Sequence, residues 1–142
     1  GIALCIGFGT FIAQVVQVSV GKDGAVEPTH VWCVVDCGVA VNPDIIRAQM
    51  ESGIVFGLSA ALYGEITIKD GRVEQTNFGD YRVLRINEVP RIEVTLVKSQ
   101  EAPGGIGEPG TSCVMPALTN AIFAATGKRI RKLPVVSQGR AA

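Results

Sequence analysis

Apolar and polar positions follow a strand-like spacing from Ile2 to Val20, a stretch rich in Ile, Val, Phe and Thr and broken at Gly7 and Gly9, so it reads as one or two strands. Gln14, Gln17 and Ser19 fall at strand-like positions within it. Gly24, after Lys22-Asp23, signals a hairpin, and Val26 to Val35 returns as a further strand that ends at the turn-rich Asp36-Cys37-Gly38. Asn42-Pro43-Asp44 then opens a helix of about Pro43 to Leu62: Asn42 can cap it, Pro43 fits the first helical position, and Asp44 suits the positive end of the dipole.

At about 100° per residue, Asp44, Arg47 and Glu51 share one stripe of that helix, and Gln49 points roughly 160° away from it, hence inward. Ser52, Phe56 and Ser59 lie near the side of Gln49, which predicts a partly polar inner face. Downstream, Glu65 to Lys69 and Arg72 to Gln75 flank Asp70-Gly71 as a hairpin. Tyr81 to Ile86 and Ile92 to Val97 read as strands separated by Pro90. Gln100 to Gly110 holds four glycines and two prolines in eleven residues and is expected to be a shaped loop. A second helix is expected from about Pro116 to Thr126, stopped by Gly127 in the left-handed conformation. There is no internal repeat, and the fold class is α+β: sheet strands with two main helices.

With 47% hydrophobic and 18% charged residues in 142, the chain suits one compact core, a domain or a piece of one. Thirteen basic residues balance thirteen acidic ones, which gives no electrostatic footprint for nucleic acid or an anionic membrane. The apolar start lacks the basic segment of a signal peptide, and no run of about 18 uninterrupted apolar residues occurs, so a soluble chain is expected. It begins with Gly1 rather than Met, which suggests a processed, split or truncated piece of a longer polypeptide. Cys5, Cys33, Cys37 and Cys113 sit in apolar or glycine-rich surroundings with a single histidine, His30, and read as buried structural thiols rather than metal ligands. His30 reads as surface or structural, Trp32, Tyr63 and Tyr81 as core or interface aromatics, and Lys128 to Lys132 as a solvated basic end that could meet another subunit.

The segment Ala102-Pro103-Gly104-Gly105-Ile106-Gly107-Glu108-Pro109-Gly110 carries the clearest chemistry. Its glycines let backbone amides approach a ligand, and Glu108 is the only charged side chain between Glu101 and Lys128. A lone carboxylate in such a loop is a candidate general base, the alternative being a solvated surface glutamate. Thr111 and Ser112, at the approach to the second helix, could hold a phosphate group or simply cap the helix. Gln49, facing inward, could be satisfied by backbone carbonyls.

Gly105-Ile106-Gly107-Glu108-Pro109 resembles the Gly-Val-Gly-Glu-Pro loop of the xanthine dehydrogenase and aldehyde oxidase family. Further blocks agree in order and spacing: Val35-Asp36-Cys37-Gly38 with Val41-Asn42-Pro43, Gln49-Met50-Glu51-Ser52-Gly53, Asp80-Tyr81, and Ala117 to Arg129 ahead of Leu133-Pro134. The wording of Phe56 to Gly64 and Gly127 to Arg131 is most similar to the branch that holds the isoquinoline 1-oxidoreductase beta subunits. One departure stands out: Gly104 occupies the place where the xanthine dehydrogenase pattern carries lysine, which weakens any inference of purine specificity.

The resemblance implies that residues 1–142 are the C-terminal part of the molybdopterin-binding domain of a large subunit. It also implies a molybdenum hydroxylase that hydroxylates an N-heteroaromatic or oxidises an aldehyde with oxygen from water. A catalytically inactive cofactor-domain fragment with a binding or assembly role is the alternative. Glu108 would be the catalytic base, and Gln49, Gly105, Ile106, Gly107, Thr111 and Ser112 would meet the cofactor, expected to be molybdopterin cytosine dinucleotide. No residue is expected to ligate the metal directly. The implied partners are the N-terminal part of the large subunit, a small iron-sulfur subunit and a small-molecule substrate, in the cytoplasm or alternatively the periplasm.

Overall fold

The computed structural model describes residues 1–135. Its first strands, β1 (Ile2–Gly7) and β2 (Thr10–Val20), are joined by the two residues Phe8 and Gly9 at φ 56° and 76°. Positive φ at both positions is what a tight hairpin turn needs to match the strand twist, and it sets Gly7 opposite Thr10. β3 (Val26–Asp36) returns antiparallel to β2 after a turn in which Gly24 takes φ 77°. The last strand of the main sheet, β6 (Arg91–Leu96), pairs parallel with β3, giving the order β1-β2-β3-β6. The Asp70-Gly71 hairpin forms as expected but is brief, with only β4 (Ile68–Lys69) and β5 (Arg72–Val73) paired.

Helices α1 (Pro43–Tyr63) and α2 (Pro109–Thr126) pack on each other and cover one face of this sheet. Asn42 caps α1 as expected, its Oδ1 accepting from the amides of Asp44 and Ile45 at 3.2 Å each. Burial alternates along the long strands, with Ile12, Val16, Val31, Cys33 and Val35 facing Met50, Ile54, Leu58, Leu118 and Ile122 across the core. The opposite face stays open and apolar: Ile2, Leu4, Ile6, Phe11 and Val34 all lie exposed there, Leu4 to 75%.

Three expectations need correction. The second helix starts at Pro109 rather than Pro116, because the buried spacing of Gly110, Cys113, Val114, Ala117 and Leu118 runs unbroken past Pro116. Pro116 removes one helical hydrogen bond, but both it and Ser112 four residues earlier lie on the exposed side, where water can satisfy the freed carbonyl. Gln100 to Gly110 is therefore a shorter loop than expected. Second, Tyr81 to Ile86 is not a strand. Leu84 donates its amide to the Ser59 hydroxyl at 3.0 Å, and the segment runs into a short 3₁₀ turn, Ile86–Glu88, whose Glu88 carboxylate accepts from the Arg85 amide at 2.8 Å. Third, the inner face of α1 is apolar. Ser52 and Phe56 are exposed, and Ser59 is half-buried under the 81–92 segment, because that side of α1 looks away from the sheet. Gln49 is half-buried at the edge of the inner face, and the stripe of Asp44, Arg47 and Glu51 is exposed as expected.

Candidate functional site

Small residues let the two helices meet where the chemistry is expected. A methyl group built on Gly57 would sit 2.7 Å from the Thr111 carbonyl oxygen and 2.5 Å from a Val114 methyl, and one on Gly110 would sit 3.2 Å from the Met50 carbonyl oxygen. At Gly57 only glycine permits this approach, and at Gly110 a β-carbon would be a tight fit. It brings Gln49, one turn ahead of Gly53 on α1, alongside the residues just before α2, and the Gln49 Nε2 donates to the Gly107 carbonyl at 2.8 Å.

The other limb of the loop is tied to the strand ends. Gly38, at φ 72°, would strike the Ala102 carbonyl oxygen at 2.3 Å if it carried a side chain, and the Asp36 carboxylate holds the Gly38 amide at 3.1 Å. The Gly104 amide donates to the Cys37 carbonyl at 2.9 Å and the Gly105 amide to the Phe8 carbonyl at 2.7 Å. The Thr10 hydroxyl donates to the Gly105 carbonyl at 2.7 Å, and the Gln14 amide nitrogen to the Gly110 carbonyl at 3.1 Å. Asp36-Cys37-Gly38, Gln49 and Gly105 to Pro109, far apart in sequence, thus converge on one loop.

Ile106 anchors that loop by packing against the core, whereas Gly105, Gly107 and Glu108 are exposed. Among the described residues, the amides of Ile106, Gly107 and Glu108 take no hydrogen-bond partner. Glu108 stands at the N-cap of α2, yet its carboxylate makes no capping hydrogen bond. Three successive free amides just ahead of a helix start are donors available to an anionic or strongly polar group. Nothing lies within 4 Å of a methyl group built on Gly107, so this side of the loop is open.

Thr111 is half-buried at the helix crossing, its Oγ1 3.3 Å from where a Gly53 methyl group would lie. The exposed Ser112 donates to the Pro109 carbonyl at 3.2 Å and lies 3.6 Å from the Cys5 thiol. Cys33 and Cys113 are buried, and desolvation pushes their thiols up to about 11 and about 12. Cys37 is buried with them, as expected, whereas Cys5 is only half-buried. His30 faces the Glu93 carboxylate at 2.9 Å and stacks on Trp32. Trp32 belongs to the open sheet face, Tyr63 lies under the Arg82 guanidinium, and Tyr81 is exposed. Lys128, Arg129, Arg131 and Lys132 are exposed. A cleft of about 870 Å³ runs between the outer side of α1 and residues 81–92, but none of the loop residues line it.

Sequence reasoning missed Thr10 and Gln14. Their signal was available, since they share the inward parity of Ile12 and Val16 on β2 yet are polar.

Residues 7–90 match the model of the molybdopterin cofactor-binding domain. The chain belongs to that family. It is 37% identical to the beta subunit of isoquinoline 1-oxidoreductase from Brevundimonas diminuta over 95% of this chain and 18% of that protein. It is 34% identical to a nicotinate dehydrogenase subunit of Pseudomonas putida over 93% of this chain and 11% of that one. The fold matches the crystal structure of quinoline 2-oxidoreductase from Pseudomonas putida 86 with a TM-score of 0.81 at 23% identity, over 89% of this chain and 17% of that one. The chain therefore spans less than a fifth of the length of these relatives. Among the described residues no helix is long and apolar enough to cross a membrane.

Proposed function

We propose that this chain is the C-terminal part of the cofactor-binding domain in the large subunit of a molybdenum hydroxylase, with Glu108 as its general base. The observation that carries this reading is the exposed, uncapped Glu108 carboxylate beside the unpartnered amides of Ile106 to Glu108. The residues fit molybdopterin: a row of free donors suits its oxygen-rich, anionic periphery, and the open side of Gly107 admits a bulky group. Gly105, Ile106 and Gly107 would hold it through the backbone. Gln49, whose nitrogen is fixed on Gly107, keeps its amide oxygen available as an acceptor, and Thr111 and Ser112 complete the contact at the first turn of α2. Molybdenum, when bound, supplies the acceptor for the two electrons that leave the substrate.

Glu108 takes the proton from the water-derived oxygen nucleophile as it attacks an electron-poor carbon of an N-heteroaromatic ring or an aldehyde. The overall change replaces a C–H bond by C–OH, with water consumed and two electrons and two protons released. Names among the relatives include both classes, isoquinoline 1-oxidoreductase and nicotinate dehydrogenase on one side and aldehyde dehydrogenase and aldehyde oxidoreductase on the other. The proposed partners are the N-terminal part of the large subunit and a small iron-sulfur subunit that carries electrons away. The open apolar face of β1, β2 and β3 supports the first of these. A cytosine dinucleotide form of the pterin and a cytoplasmic location belong to the same reading.

The test is the reduction of the assembled, molybdenum-replete enzyme by substrate after Glu108→Gln. The amide is nearly isosteric but cannot accept the proton, so the rate is expected to fall by at least on the order of 10² to 10⁴ with cofactor content retained. Near-parental reduction would remove Glu108 from the reaction.

A further inference from the structure

Only two polar residues among those described are fully buried, Thr10 and Gln14, both 0% exposed. They lie two alternations apart on β2, on the face whose other members are Ile12 and Val16. A polar group in such a core destabilises the fold unless a hydrogen bond compensates it, and an apolar side chain would serve the sheet equally well. Both bond the segment that runs from the loop into α2, and Gln14 Nε2 also meets the Cys33 sulfur at 3.7 Å. Thr10 Oγ1 donates to the Gly105 carbonyl at 2.7 Å, and Gln14 Nε2 donates to the Gly110 carbonyl at 3.1 Å. The two accepting carbonyls bracket Glu108, three residues before it and two after.

The glycines of the loop are shaped to this contact. A methyl group on Gly104 would lie 2.5 Å from the Thr10 hydroxyl oxygen, and one on Gly105 would lie 2.7 Å from Phe8 Cβ. The loop thus rests directly on the start of β2. Because its own residues offer few side chains, its shape is set by what its neighbours donate to it.

We propose that Thr10, seconded by Gln14, is a positioning residue for Glu108: its buried hydroxyl holds the Gly105 carbonyl and thereby fixes the direction from which the carboxylate meets the reacting atoms. The proposal rests on Glu108 being the base. Thr10 touches neither cofactor nor substrate and acts only through the loop.

The experiment compares Thr10→Val, which keeps the shape and removes the hydroxyl, with Thr10→Ser, which keeps the hydroxyl, in the assembled enzyme. Turnover per molybdenum, KM, molybdenum content and amide hydrogen exchange of the peptide spanning residues 103–108 are measured in each. Thr10→Val is expected to lower kcat per molybdenum on the order of 10- to 100-fold, with KM and molybdenum content little changed, as a displacement approaching 1 Å does to a reacting group. Its Gly104 and Gly105 amides, which donate to Cys37 and Phe8, are expected to exchange roughly five- to tenfold faster, the loss of one hydrogen bond. Thr10→Ser is expected to stay within about threefold of the parent in both measurements.

Parental kcat per molybdenum in Thr10→Val, alongside a Glu108→Gln enzyme that is inactive, would overturn the positioning role. So would Val and Ser variants equally slow, since the hydroxyl that serine keeps would then make no difference to the rate. Should Thr10→Val fail to assemble, Thr10→Ala against Thr10→Ser carries the same two outcomes. An active Glu108→Gln enzyme would instead overturn the reading of the site, and loop exchange, which needs no turnover, still reports whether Thr10 holds the loop.

Discussion

Gly104→Ala adds one methyl group at the most crowded point of the glycine loop. That carbon would lie 2.5 Å from the Thr10 hydroxyl oxygen, 2.7 Å from the Gly9 carbonyl oxygen and 2.8 Å from the Gly9 carbonyl carbon. Two of the three are backbone atoms of the β1–β2 turn, where Phe8 and Gly9 already hold positive φ, so the turn has little freedom to yield. The loop must back away by about 0.5 Å to bring the closest pair to 3.0 Å, and by about 0.9 Å to reach ordinary contact at 3.4 Å. A displacement of that size strains the 2.7 Å bond from Thr10 to Gly105 and the 2.9 Å bond from Gly104 to Cys37. Overpacking of this kind costs about 1–3 kcal/mol. Moving a base by nearly 1 Å costs up to about 10²-fold in rate. Turnover per molybdenum and thermal melting of the assembled enzyme, measured side by side, check both numbers. Gly107→Ala is the matched control, because nothing lies within 4 Å of its added carbon. It is expected to lower molybdenum content, since the open side of Gly107 is where the cofactor is proposed to lie, while melting compared at equal molybdenum occupancy stays at the parental value. A Gly104→Ala enzyme with parental turnover and melting would refute the packing argument.

Gln49→Ala removes the donor to Gly107, and both molybdenum content and turnover are expected to fall roughly ten- to a hundredfold, as when a residue supporting a metal site is lost; unchanged metal analysis and kinetics would leave Gln49 a structural residue. Buried Cys33 and Cys113, pushed up to about 11 and about 12 by desolvation, are expected to resist alkylation at pH 8 in the folded protein and to react once it is denatured, as read by mass spectrometry of digested peptides. Because their folded values are raised, the stability they contribute is fully present below the unfolded thiol value of 9.0 and is lost as pH rises towards 11 and 12, so melting temperature should decline over that alkaline window. A decline no shallower in Cys33→Ala and Cys113→Ala proteins would assign it to other groups.

Elements with a local signature were legible in the sequence. Asn42-Pro43-Asp44, Gly127 and Asp70-Gly71 act through their own backbone preferences, and each works as read: a cap, a left-handed stop at φ 73° and a tight turn. Glu108 and its glycines stood out for the same reason. What depended on partners was harder to read. Pro116 looked like a helix start because proline is disfavoured inside helices, and only the packing of Cys113, Val114, Ala117 and Leu118 carries α2 across it. Tyr81 to Ile86 has strand composition but no strand beside it to pair with, and Ser59 takes its Leu84 amide instead. On α1 the 3.6-residue spacing pointed Gln49 inward together with Ser52 and Phe56, but the buried stripe runs through Met50, Ile54 and Leu58, which leaves Gln49 half-buried at its edge and Ser52 and Phe56 exposed.

Gly104 links the one departure from the family pattern to the geometry of the site. Where the xanthine dehydrogenase pattern carries lysine, this chain has no room even for a β-carbon, because the Thr10 hydroxyl and the Gly9 carbonyl already occupy the space. Thr10 is buried and its bond to Gly105 requires this proximity, so the glycine at 104 and the threonine at 10 depend on each other. Lysine at 104 would have to displace either the hydroxyl or the turn, and displacing either moves Gly105, three residues before Glu108. Absence of a cation at that position therefore has two consequences of different kinds. It removes a charge from the loop that carries Glu108, and it lets the loop settle onto β2, where neutral donors, Thr10, Gln14 and Gln49, hold it.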